Sequence, residues 1–397
     1  MDSIVCYTEE IDDLDEAVKE LLEQAEGFEF KSNTLGILFS EEDLEYEELY
    51  EILSETWDFP IIGCTGMSLL LDEQGFNQSG IEIMILSADD VKFSAGMTEE
   101  LNYDNYRQEI QSCYDKLKAE HDSEIKLVLT YGGMTVEKDN VAGDDLVYAV
   151  SDACGGVPVY GGTAADSFSF NGFKVYCDGK SSAHGQALAL ISGNIDPKFV
   201  VINSIQNRAS FAYEVTEAEN NIVKKLGNGT FLDAMKREKI DTDKTDVLGV
   251  YILSPFLVEI EKEDGDRVEV ARNLNILNQS EGYGSFLGCI PEGAVLNIGV
   301  IDRDDVKNSV EKAFDVILDE INNEGKYHSL LCTSCGARFM ALGNHFMAEC
   351  ETYNGRVPEG VSLMGLYTYG EYCPVEGNKT GKNYNMFHNF TFTILAM

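Results

Sequence analysis

The chain has 397 residues, 44% of them hydrophobic and 10% aromatic, and carries a net charge of -41. Its length supports two or three domains with cores of their own, and its aromatic content excludes a disordered chain. The charge repels phosphate backbones and anionic membrane surfaces, so neither nucleic acid nor membrane is expected as a partner. The opening MDSIVCYTEEIDDLDE has no basic stretch and no long apolar run, so it does not read as a signal peptide. No segment approaches the roughly 18 apolar residues of a membrane span. A cytoplasmic location is therefore expected. The 10 Cys then read as reduced thiols, most of them small buried apolar residues.

In chain order, Ile11, Leu14, Val18, Leu21 and Leu22 share one face of an amphipathic helix, with Gly27 as its stop. A unit of strand, helix, strand, Gly-rich turn and strand then appears three times. The first copy reads LGILFS (35–40), a helix over 42–55, FPIIGCTG (59–66) and IEIMILS (81–87). The second reads IKLVLTYGG (125–133), a helix near 144–154, VPVYGGTAAD (157–166) and HGQALALIS (184–192). Less repetitive material follows. VTEAENNIVKKLGNGTFLDAMKREKI (215–240) reads as a short strand, a turn and a helix, and strands are expected at 246–255, 266–277 and 293–302. A helix is expected over 304–325, with Val306, Val310, Ala313, Phe314, Ile317 and Ile321 on its apolar face. The third copy reads YHSLLCTSCG (327–336), a helix over 337–351, VSLMGLYTYGE (361–371) and HNFTFTILAM (388–397). This order predicts an α/β (mixed α+β) fold of layered sheets flanked by helices and built from repeated units. The expected division is 1–210 and 211–397.

Turns that leave strand C-termini collect ligands in layered α/β folds, and Gly lets backbone N–H groups approach them. Three such turns are present: Gly63–Gly66, Gly161–Asp166 and Tyr367–Glu371. Gly162, Thr163, Asp166, Tyr369, Gly370 and Glu371 are the site candidates on the last two. Arg338 is a scarce cation near a helix start, suited to hold a carboxylate through two parallel hydrogen bonds. Glu371 is placed to take a ligand ammonium or to pair with Arg338, and Asn389 and Thr391 to order the last turn. A structural ion pair is the competing reading for each charged residue.

The stretch CTSCGARFMALGNHFMAEC (332–350) raises two alternatives. Cys332 and Cys335 form a C-x-x-C after a strand, the setting of a thiol redox pair. With His345, Cys350, Cys373 or His388 they offer zinc ligands, although no second paired motif completes the spacing. Covalent haem is excluded, since Gly336 follows Cys335. Non-covalent haem would need one of His121, His184, His328, His345 or His388. No nucleophile–base pair stands behind a recognised motif, so an enzyme is not expected.

GCTGMSLL (63–70), GGTAADSFSF (161–170), VTEAENNIVKKL (215–226), CGARF (335–339), YTYGEYCP (367–374) and NMFHNFTFT (385–393) together resemble the FIST domain, in the order of its N-terminal and C-terminal halves. The resemblance runs from about residue 35 onward. It implies a sensory small-ligand-binding module of signal transduction, with amino acids or similar small molecules as ligands and a signalling protein as partner. It also implies a role for Cys335, Gly336 and Arg338. Haem binding with nitric oxide sensing is the family's alternative, so no cofactor is expected except haem under that reading. The residues before the first copy read as ordinary elements, not as an F-box.

Overall fold

The computed structural model describes residues 1–71, 75–133, 143–242, 254–324 and 327–397. The first unit comprises β1 (Asp2–Thr8), α1 (Leu14–Gln24), β2 (Asn33–Ser40), α2 (Tyr46–Ser54), β3 (Ile61–Thr65), the hairpin β4 (Leu69–Leu71) and β5 (Phe76–Asn77), and β6 (Ile81–Ala88). The second has the same order: β7 (Val91–Met97), α3 (Tyr106–Lys118), β8 (Ile125–Gly132), α4 (Gly143–Ala153), β9 (Val159–Thr163), the hairpin β10 (Val175–Cys177) and β11 (Lys180–Ser182), and β12 (Gln186–Gly193).

The third unit opens with β13 (Lys198–Asn203) and is then interrupted. The insert holds β14 (Asn207–Arg208), β15 (Tyr213–Glu219), β16 (Ile222–Leu226), β17 (Gly229–Thr230), α5 (Phe231–Arg237), β18 (Phe256–Glu261), β19 (Arg267–Arg272), β20 (Leu274–Leu277), β21 (Gly284–Phe286) and β22 (Val295–Val300). The unit resumes with α6 (Arg303–Glu324), β23 (Ser329–Cys335), α7 (Gly336–Leu342), α8 (Ala348–Tyr353), β24 (Ser362–Thr368), the hairpin β25 (Glu371–Glu376) and β26 (Asn383–His388), and β27 (Thr391–Ala396).

The three repeats are therefore present, and each is one strand and one helix longer than the sequence pattern suggests. The leading pairs β1–α1, β7–α3 and β13–α6 belong to the repeat. Their short or partly exposed strands have weak apolar patterns, whereas the central strands are buried on both faces. The third copy's single expected helix is two, α7 and α8. They are separated at Gly343, whose φ of 56° favours a residue without Cβ. Residues 213–226 form a hairpin rather than one strand, and 266–277 is two strands. Most of the strand expected at 246–255 lies outside the described residues. The third sheet runs across residue 210, since β13 pairs with β27.

Sheet order follows one rule. Each sheet runs leading strand, last strand, first strand, second strand, and then the hairpin of another unit. The orders are β1-β6-β2-β3-β10-β11, β7-β12-β8-β9-β25-β26 and β13-β27-β23-β24-β4-β5. Unit 1 thus lends its hairpin to unit 3, unit 2 to unit 1, and unit 3 to unit 2. The exchange closes a cycle, and each borrowed strand pairs antiparallel at the same place. One face of each sheet is covered by its own helices. The other faces meet in a single shared core containing Phe39, Met84, Tyr131, Tyr160, Met364 and Leu395. The insert has a separate core around Phe231, Phe256 and Phe286. No helix among the described residues is long and apolar enough to cross a membrane.

Candidate functional site

The three Gly-rich turns meet. Ala165 N–H donates to Thr65 O (3.0 Å), Met67 N–H to Tyr367 O (3.1 Å), and Tyr369 N–H to Thr163 O (3.1 Å). In strand register these are one bond made three times, because Gly63, Gly161 and Gly365 sit opposite Leu38, Thr130 and Cys332 on the neighbouring first strands. A Cβ on any of these three glycines would collide with the carbonyl oxygen of its neighbour. The turns therefore need Gly to let backbones cross, whatever their role in binding.

Register also shows where the repeats differ chemically. Glu371 pairs with Gly162; the corresponding partners are Leu69 with Leu366 and Val175 with Cys64. Two of three equivalent positions are thus apolar, and the third holds a carboxyl. Around it the same asymmetry holds. Thr368 stands where the other units have Gly66 and Ala164, and Thr391 where they have Gly80 and Gly185. Glu371 is fully buried and accepts hydrogen bonds from Thr368 Oγ1 (3.2 Å) and Thr391 Oγ1 (2.5 Å). The Cys335 thiol lies within reach of the same carboxyl. Burial pushes Glu371 up to about 8, against the opposing pull of Thr391, Arg338, Thr368 and Cys335. Cys335 is driven well above the usual thiol range, by burial first and by Glu371 second, although the N–H groups of Phe390 and Ala337 face its sulfur. At neutral pH the cluster is an uncharged carboxylic acid beside an uncharged thiol.

The backbone around this cluster is strained. Phe390, between β26 and β27, has a φ of 59°, and Phe168 and Phe170 have φ of 65° and 56°. Bulky residues rarely adopt such angles, and strain of this kind concentrates at functional sites.

Arg338 is placed differently from the sequence expectation. It is fully buried, and its ion pair is with Glu349 (Nε to Oε1, 3.1 Å), not Glu371. Nε also donates to Ser334 Oγ (3.0 Å), Nη1 to Ser309 Oγ (2.7 Å) and to Ser204 Oγ, and Nη2 to Val306 O (3.5 Å). The guanidinium lies over the Phe392 ring. Its donors are spent on β23, α6, α8 and the end of β13, which leaves no planar fork for a ligand carboxylate. Asp166 is likewise occupied. It accepts from Phe170 N (3.0 Å), Asn171 N (2.9 Å), Gly172 N (2.8 Å), Ser169 Oγ (2.7 Å) and Tyr369 Oη. Burial alone would raise this carboxyl, but these donors hold it at about 2. Asp166 therefore folds the 166–172 loop, and Tyr369 closes it by stacking on Phe170 at 4.6 Å.

The remaining candidates hold the junction of units 2 and 3. Thr163 Oγ1 meets Tyr372 Oη at 3.0 Å, and Thr163 N–H donates to Gly370 O. A Cβ on Gly162 would press on Thr368 Cγ2, and one on Gly370 would enter the Phe387 ring. Asn389 donates to His388 O and accepts from Asn273 N at 3.4 Å, which ties the insert to the ring. The structure thus gathers the candidates around one junction and leaves Glu371 and Cys335 there in contact with each other and without an ionic partner. Thr391, expected from the sequence to order the last turn, and Thr368, which residue charge does not mark, complete it. Their signal is that they replace small residues of the other two copies.

The C-x-x-C lies wholly within β23. Residues three apart on a strand face opposite ways and stand roughly 10 Å apart, beyond the ~7 Å limit for a disulfide. Cys332 accordingly packs in the helix-covered core and Cys335 at the junction. The geometry disfavours both the redox pair and zinc chelation by these two thiols. Two of the five His are also poor fits for a haem iron. His121 has both ring nitrogens on Ser94 and Ser192, and His388 is buried with Nε2 on Cys373 O. Among the described residues, no group of three or more His, Cys, Asp or Glu is arranged to hold a metal ion.

A pH-dependent stability follows from Glu371. Its folded value lies above the ordinary ~4.3 of an unfolded Glu, so the folded state retains a proton that the unfolded state loses. The contribution is complete below about pH 4.3 and declines as pH rises toward 8. Glu371→Gln is expected to flatten that decline in urea titrations between pH 5 and 9. Equal slopes for the two proteins would place the titration elsewhere.

Cyclic hairpin exchange among three α/β units and an inserted sheet define an internally triplicated α/β class. The FIST N domain matches residues 34–228 and the FIST C domain residues 232–374. The chain belongs to the FIST family, whose domains are associated with small-ligand-binding sensory signal transduction. No curated protein matches it. Among solved structures, a cyanuric acid hydrolase from A. caulinodans is 9% identical with a TM-score of 0.30, over 51% of this chain and 72% of that one. A score so low carries no inference.

Proposed function

We propose that the chain is a sensory protein that binds a small polar metabolite carrying a cationic amine, such as an amino acid, at the Glu371 cluster. It passes the bound state to a signalling partner. The observation that carries this reading is the buried Glu371 carboxyl, bonded to hydroxyls and a thiol rather than a cation, where the two equivalent positions are apolar. A structural acid would be expected to pair with Arg338, which is close enough to be felt electrostatically but is bonded to Glu349. An arriving ammonium supplies the missing counter-charge and ionises Glu371. For a zwitterionic ligand, the N–H groups of Phe390 and Ala337 are the donors this reading assigns to the anionic end.

Native mass spectrometry of freshly purified protein, followed by calorimetry with amino acids and simple amines, tests the proposal. Below pH 8, binding is expected to release about one proton, seen as different heats in buffers of different ionisation enthalpy. Glu371→Gln should weaken binding by about tenfold or more, equivalent to at least ~1.4 kcal/mol. Amine binding that releases no proton and survives Glu371→Gln would move the site elsewhere.

A further inference from the structure

We propose that the cleft at the start of β2 and β3, beside Trp57 and Asp58, binds a small organic cation with a ring-bearing apolar body. The cleft has a volume of about 660 Å³, within the range of small-molecule sites. Phe30, Trp57 and Phe59 of the first unit and Phe93 on β7 of the second line it, with Lys31 and Asp58 as its charged residues. The three rings of the first unit form a ladder. Phe30 stacks on Phe59 at 5.8 Å and Phe59 on Trp57 at 5.6 Å, both at 27°. Trp57 and Phe59 are 4% and 9% exposed and anchored in the helix-covered core, whereas Phe30 is 42% exposed. The cleft thus has a fixed aromatic wall and one accessible ring.

Comparison of the three copies shows that the turn itself does not need this wall. In strand register, Trp57-Asp58-Phe59-Pro60 stands where the second unit has Gly155-Gly156-Val157-Pro158 and the third has Glu359-Gly360-Val361-Ser362. The backbone makes the same join in the first two copies, where Gly36 N–H donates to Pro60 O and Val128 N–H to Pro158 O, 2.9 Å each. Only the first copy adds two large aromatic rings with an acid between them. The basic groups beside the cleft are already bound within the fold. Lys31 is held by Asp2 at 2.7 Å, and Lys92, next to Phe93, donates to Glu120 O. Asp89 and Glu29 also act on Lys31. With Asp58, the mouth therefore carries more acid than base, in a chain of net charge -41. An unpaired acid is ordinary in such a chain; its place between two rings over a cleft is not. A cation entering there meets the Asp58 carboxylate and an aromatic face, which attract the same charge. The cleft lies at the N-terminal ends of the parallel strands β2 and β3. The Glu371 junction gathers turns that leave strand C-termini, so the two sites are separate and neither depends on the other.

Trp57 is the only tryptophan of the chain, so its fluorescence reports on this cleft. The test titrates the full chain with benzylamine and phenyltrimethylammonium, and with benzyl alcohol and benzoate as neutral and anionic controls. Both cations are expected to change Trp57 fluorescence saturably and to bind more tightly than the alcohol, with benzoate weakest. Asp58→Asn should weaken the cations about three- to fivefold and leave benzyl alcohol unchanged. Phe30→Ala should weaken them by a similar factor of about three to five. Added salt should weaken the cations but not the alcohol. Glu371→Gln should leave the titration unchanged, whatever it does to amine binding at the other junction. Absence of a saturable response to both cations overturns the proposal. So does equal affinity for cations and alcohol, a response that Asp58→Asn does not alter, or one that disappears in Glu371→Gln.

Discussion

Gly161→Ala is expected to destabilise the protein by about 4–6 kcal/mol, enough to leave little folded chain. Gly161 has a φ of 144°, a conformation essentially reserved for Gly, and an added Cβ would strike the Thr130 carbonyl oxygen on the adjacent strand. Both atoms belong to the backbone of a central sheet, so neither can yield without breaking the β8–β9 pairing and the turn that bonds to Tyr369. Gly155→Ala is the control. Its φ of 66° is also positive, but nothing lies within 4 Å of a Cβ there, so only the ordinary left-handed cost of about 1–2 kcal/mol applies. Urea unfolding of the two variants checks the difference. A Gly161→Ala protein within 1 kcal/mol of the control would mean that the turns do not cross as described.

Arg338→Met is expected to cost about 3–5 kcal/mol, because it strands Glu349 in the interior without its cation. Arg338→Lys should recover only part of this, since an ammonium cannot span Ser204, Ser309, Ser334 and Glu349 as the planar guanidinium does. The double variant Arg338→Met with Glu349→Leu should be clearly more stable than Arg338→Met alone, because the orphaned charge leaves with its partner. Denaturant titration of the three proteins is the measurement. An Arg338→Met protein of normal stability with lost ligand affinity would restore Arg338 as a direct ligand contact. The contrast with Glu371 is physical. One buried charge has a full set of partners; the other group is kept neutral because it has no cation in contact.

Much of the repeat was legible in the sequence because it is local. Strands such as LVLTY, ALALI and FTFTIL are runs of apolar and β-branched residues with no charge, as expected of strands buried on both faces. The amphipathic face of the 304–325 segment reads directly as α6, whose Val306, Val310, Ala313, Phe314, Ile317 and Ile321 are all buried. The turns could be marked because glycines announce close backbone approach. The hairpin exchange could not be read. β4 is only three residues long, and its partner β24 lies almost three hundred residues away; nothing in LLL specifies that pairing.

Chemical roles divide along the same line. Residue type alone made Arg338, Asp166, Glu371 and Cys335 candidates, and their positions beside Gly-rich turns drew them to one junction. Spacing could not say which of them would be left without an ionic partner. Ser204, Ser309 and Glu349 reach Arg338 from separate elements, and four groups of one short loop converge on Asp166. The C-x-x-C motif shows the reverse effect. Its spacing suggests a chelate or a redox pair, but strand geometry sends Cys332 and Cys335 to opposite faces. The sequence by itself determined the secondary elements, the threefold repeat and the places where backbone must cross, because these rest on local periodicity and glycine sterics. Only the tertiary structure decided which charges are satisfied and which are not, because burial and hydrogen bonding from distant segments set the charge state of every group in the interior.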